Sequence, residues 1–130
     1  MATVLTIHSL VRWLFVLLAA AVIVKFAIGW LQNKSFTPLD RGLLAGLTGT
    51  VDLQLVIGLI LLIGYGTYTR HQLEHTFTMF LALLLLHIMP RRWKESPGAI
   101  RFRNNLAVVI VALILIVLGV VVLPGNRWAI

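Results

Sequence analysis

Three of the four histidines in this chain fall within one stretch. Arg70-His71-Gln72-Leu73-Glu74-His75 opens it and His87-Ile88-Met89-Pro90 closes it, with no polar side chain from Phe80 to Leu86. The fourth, His8, shares a helical face with Arg12, one turn further on. Neutral imidazole is a versatile metal ligand. Two imidazoles from separate helices can grip a haem iron from both sides, and a helical bundle is a natural frame for that. His8 and His75 form the candidate iron-ligand pair, with His71, one turn before His75, in reserve. Arg12 has two natural partners, a haem propionate or Glu74. The competing reading is plainer: interfacial histidines that hydrogen-bond to water, lipid headgroups or Glu74.

Other chemistries fit less well. His71-Gln-Leu-Glu74-His75 matches the inverted zinc-protease pattern H-x-x-E-H, but the pattern is short and only His8 offers a third ligand. Two stacked haems would need histidines on one face of a single helix. His75 and His87 are 12 residues apart, which puts them about 120° apart around it. His87 has no histidine at its own depth and is expected to meet water, a phosphate or a neighbouring side chain. Asp52 falls near the middle of an apolar run, where a carboxylate needs a partner or a proton. Thr48, Lys25, a backbone carbonyl, a quinone or a proton path are the options. Gln54 lies about 200° from Asp52 around the same helix. Phe77, Met79 and Phe80 read as packing.

These groups need a frame, and composition says which kind. Hydrophobic residues make up 60% of the 130, too many for a soluble chain of this length to bury. Cysteine is absent, so thiolate metal sites, iron–sulfur clusters and covalently attached haem are excluded within the chain. The net charge of +7 comes from cations flanking apolar runs, not from a basic stripe, so nucleic acid is not the expected partner. The fold expected is all-α: an integral membrane four-helix bundle, one domain over residues 1–130, with spans at about 5–31, 43–63, 71–90 and 106–123.

Details of the spans agree. Trp13 and Trp30 bracket the first, and without a positive leader the Ala19-Ala20-Ala21 run is not read as a cleaved signal. Lys25 is within snorkelling reach of the first span's far end. Thr37-Pro38-Leu39-Asp40 reads as a capped helix start. Gly42 and Gly46 predict close packing of the second span on a neighbour. Ser96-Pro97-Gly98 reads as a turn, Pro124-Gly125 as a stop and Trp128 as an interface anchor. Of the eleven cations, eight (Lys25, Lys34, Arg41, Arg91, Arg92, Lys94, Arg101 and Arg103) gather at one end and three (Arg12, Arg70 and Arg127) at the other. The positive-inside rule then sets both termini outside, on the periplasmic face of a bacterial inner membrane. His8, Arg12, His71, Glu74 and His75 fall near that face, and His87 toward the inner one.

The chain resembles a group of short four-span bacterial membrane proteins described as cytochrome-b-like. The shared features are H-S-x-x-R-aromatic, here His8-Ser9-Leu10-Val11-Arg12-Trp13, and Q-L-x-x-G-L-x-L, here Gln54 to Leu61. Glu74-His75-Thr76-Phe77-Thr78-Met79, with His87 later, is the third. The polar turn around Tyr65 to Arg70, leading into His71, departs from the pattern. The resemblance implies haem b and electron transfer, with His8 and His75 at the matching positions. The expected protein is therefore a small electron-transfer subunit with one b-type haem near the periplasmic face. It would work beside a quinol or a periplasmic carrier, within a larger membrane redox complex, and would not be catalytic alone. The alternative is a haem-free accessory subunit of a respiratory or photosynthetic quinol-oxidising complex. A third reading is a small transporter or proton channel centred on Asp52.

Overall fold

The computed structural model describes residues 1–125. Arg127 and Trp128 lie outside the described residues. Four α-helices follow one another: α1 (Ala2–Leu31), α2 (Pro38–Tyr65), α3 (Arg70–Ile88) and α4 (Gly98–Val121). A short 3-10 helix, Met89–Trp93, extends α3. All four stretches are long and apolar enough to cross a bilayer, counting Arg70–Trp93 as one.

Local chemistry fixes the ends. Thr37 caps α2 in a capping box with Asp40, and Pro38 occupies the first turn, where its missing N–H costs nothing. Gly66 closes α2 at φ 68°, a left-handed geometry that a side chain would strain. Thr69 and Gln72 form a second capping box at the start of α3, only a few residues on. Pro97 opens α4, which begins well before the expected Leu106. Arg101, Arg103, Asn104 and Asn105 are therefore helical rather than in a loop. The reason is packing. Asn105 is buried and accepts a hydrogen bond from Trp93 Nε1 at 2.8 Å.

The helices form a ring: α1 beside α2, α2 beside α3, α3 beside α4, and α4 beside α1. The backbones of the diagonal pairs, α1 with α3 and α2 with α4, stay more than 8 Å apart at every Cα among the described residues. Val22, Phe26, Leu47, Ala82 and Val109 fill the centre. At one end Phe26, Phe36 and Phe102 meet edge-on or tilted, with centroids 5.0 to 5.6 Å apart. The outside is apolar: Leu17 is 70% exposed and Ile63 68%. An outer surface that apolar suits the hydrocarbon of a bilayer better than water.

The close helix approaches differ from expectation. Nothing lies within 4 Å of a Cβ built on Gly42, and only Leu18, at 3.9 Å, near one on Gly46. The glycines that bring helices together are Gly29, where a Cβ would come within 2.6 Å of Phe102, and Gly119, where it would come within 2.6 Å of Met79. Both belong to intrachain seams, whereas Gly42 lies on the outer face of α2.

Candidate functional site

The two diagonal helices face each other across an interior space. A cavity of about 640 Å³ lies between the helices, in the range of about 300–1,000 Å³ common for ligand sites. His8, Arg12, Gln54, Tyr65, His75 and Met79 are among its lining residues. His8 and Arg12 come from α1, Gln54 and Tyr65 from α2, and His75 and Met79 from α3.

His75 is held in one orientation. Its Nδ1 donates to the Gly119 carbonyl at 2.8 Å, an acceptor that fixes the proton on Nδ1. The lone pair then resides on Nε2, the arrangement in which a second-shell carbonyl prepares an imidazole to bind metal. This bond depends on the close α3–α4 seam at Gly119, where the nearest atoms are Met79 Cε and Thr78 Cβ. On another wall, that of α1, His8 Nδ1 is buried without a hydrogen-bond partner among the described residues, and so is Gln54 Oε1 from α2. Buried polar atoms left in that state are costly unless a ligand or water completes them. A Cβ on Gly58 would sit 3.5 Å from His8 Cε1, so α2 can come close behind the ring.

A b-type haem needs two imidazoles on opposite sides of a space, a cationic group for the propionates and apolar walls. His8 and His75, Arg12, and Phe15, Val51 and Ile116 line one cavity, so two imidazoles, a cation and apolar walls are present at it. On those grounds the residues present fit the group. A zinc site does not assemble: among the described residues, no three His, Asp or Glu side chains converge as metal ligands.

The remaining expected residues go elsewhere. His71 is exposed and is not among the cavity's lining residues. Glu74 accepts a hydrogen bond from Arg70 Nε at 2.7 Å, one helical turn away, rather than engaging Arg12. Asp52 meets neither Lys25 nor Thr48. Lys25 Nζ instead donates to Asp40 Oδ1, whose other oxygen accepts from the Thr37 amide and hydroxyl, both at 2.8 Å. Thr48 donates to the Leu44 carbonyl at 2.9 Å. The partner of Asp52 is His87: Nε2 and Oδ1 are 2.8 Å apart, with both side chains over two-fifths exposed. α3 is shorter than α2, so its end falls level with the middle of α2, and this makes the pairing possible.

Sequence reasoning missed the Gly119 carbonyl, because a backbone acceptor leaves no trace in residue type. It also missed Asp40 as the partner of Lys25, although the capping box had already marked that carboxylate. Compared with models of protein families, with curated proteins and with solved structures, the chain matches none.

Proposed function

We propose that this chain is a multi-pass membrane protein that holds one b-type haem in the cavity between α1 and α3 and passes electrons through it. What supports this reading above all is one observation: His8 and His75 line one cavity from diagonal helices, with His75 Nδ1 committed to Gly119. His8 and His75 would hold the iron, and Arg12 would neutralise a propionate. When bound, the haem supplies one-electron chemistry. The protein's part is to orient the imidazoles, exclude water and keep the surroundings apolar. The motifs shared with cytochrome-b-like proteins favour the same reading.

The collected cations favour an orientation with both termini outside, in a bacterial inner membrane. A quinol or a periplasmic carrier within a larger redox complex would be the partner. The test is the reduced-minus-oxidised absorption spectrum of purified protein. A sharp α band of b type is expected, lost in His8→Ala and in His75→Ala and kept in His87→Ala. A flat spectrum from folded protein overturns the reading. The second reading, a haem-free accessory subunit, is favoured by the open outer face of α2 at Gly42 and Gly49. It would give that flat spectrum together with fixed-stoichiometry copurification of redox subunits.

A further inference from the structure

The Asp52–His87 pair is not part of the cavity, and it faces outward from the bundle. It lines a groove of about 280 Å³ between α2 and α3, together with Ala45, Gly49, Arg41 and Arg91. Three features of this groove are distinctive. Two arginines from different elements, Arg41 in the first turns of α2 and Arg91 in the 3-10 helix, converge on it, and both are exposed. The floor has small residues, and no atom lies within 4 Å of a Cβ built on Gly49. Further along, Asp52 engages His87 Nε2, which leaves Nδ1 as a ring nitrogen with no hydrogen-bond partner among the described residues.

The charge balance of that end of the bundle says what kind of ligand suits it. Asp40 is committed to Lys25 and Thr37, and Asp52 to His87, and Glu95, the third carboxylate at this end, forms no ion pair with Arg41 or Arg91 among the described residues. Two guanidiniums at the mouth of an apolar groove suit a phosphate, and arginine binds that group with paired donors. The groove opens on the apolar outer surface, so its occupant reaches it sideways from the hydrocarbon. A molecule with a phosphate at one end and a flexible apolar chain for a small-residue floor is a phospholipid.

We propose that the α2–α3 groove binds one anionic phospholipid of the positively flanked leaflet. Its phosphate lies between Arg41 and Arg91, and an acyl chain lies over Ala45 and Gly49. The proposal rests on the membrane reading and is independent of haem. It differs from diffuse attraction to the basic end because it singles out two of the eight cations there.

The experiment compares the full-length protein in bilayer discs of phosphatidylcholine alone with discs containing one-fifth phosphatidylglycerol. Native mass spectrometry reads the lipid retained, and thermal unfolding reads its effect. Retention of phosphatidylglycerol over phosphatidylcholine and a higher Tm are expected. Arg41→Gln with Arg91→Gln should lower the preference by about 30-fold, at the usual contribution of a cation near an anionic surface. Lys94→Gln with Arg103→Gln, on the same end but not lining the groove, should leave it within about twofold of the parent, since neither side chain meets the bound phosphate. Circular dichroism confirms that each variant folds. Equal retention of the two lipids overturns the proposal, as does equal loss in the two double variants. Millimolar inorganic phosphate reproducing the Tm rise in phosphatidylcholine discs also overturns it, since a free anion would then suffice. Failure of the chain to enter discs would instead refute the membrane reading itself.

Discussion

The molecule carries two histidine sites that differ in nearly every physical respect. In the cavity, His75 is half-buried and donates to a backbone carbonyl; in the groove, His87 is exposed and bound to a carboxylate. A carbonyl dictates a tautomer and adds no full charge. A carboxylate also orients the ring, and it sets a negatively charged group beside it. The first arrangement prepares a neutral nitrogen to bind a metal. The second pins a ring at a surface, beside the two arginines of the groove. The residue type is the same in both, so the role is set by what holds the ring and by how enclosed it is.

Substitutions can break or sharpen this contrast. The largest effect is expected for His75→Ala, which should abolish the haem absorption band entirely while His87→Ala leaves it in place. Gly119→Ala comes next. Its Cβ would displace the Met79 methyl and press on Thr78, which loosens the α3–α4 seam beside the His75 bond. A loss of about 1–3 kcal/mol in unfolding free energy is expected, the usual cost of overpacking, with a shifted haem spectrum or potential. Unfolding in graded denaturing detergent measures the first, and redox titration the second. Asp52→Asn acts on a pair that is largely exposed in the free chain, and should cost at most about 1 kcal/mol in detergent. Gly42→Ala should be smallest and opposite in sign. With open space over the position, it should stabilise α2 by about 0.5 kcal/mol through helix propensity alone. If Gly42→Ala instead destabilises purified protein, Gly42 is covered there by a second copy.

Much of the architecture was legible in the sequence because it follows from local rules. Uninterrupted apolar runs located four helices, and Thr37-Pro38-Leu39-Asp40 located the start of α2 to the residue. Depth along the helices grouped His8, Arg12, His71, Glu74 and His75; His8, Arg12 and His75 line one cavity, whereas His71 and Glu74 do not. Rotation around a helix separated Gln54 from Asp52, and they line different sites. What failed was pairing between helices. The Lys25–Asp52 and Arg12–Glu74 options assumed that nearby depth implies contact. Contact also depends on which faces the ring of helices turns inward, and on competition from nearer partners such as Asp40 and Arg70. The start of α4 was missed because Arg101 and Arg103 look like loop residues. In the structure, Arg101 sits 4.2 Å over the Phe36 ring, and its helix continues through Phe102 and Asn105 in the core.

The knot of Lys25, Asp40 and Thr37 bears on how the chain is made. It joins the second half of α1 to the first turn of α2, using only residues synthesised before any of α3 exists. An unpaired lysine within so apolar a segment would resist partition into lipid. Here its countercharge arrives 15 residues later, on the hairpin's own bend. On the membrane reading, α1 and α2 can therefore pair with this lysine already answered, and α3 and α4 assemble against a template already in place.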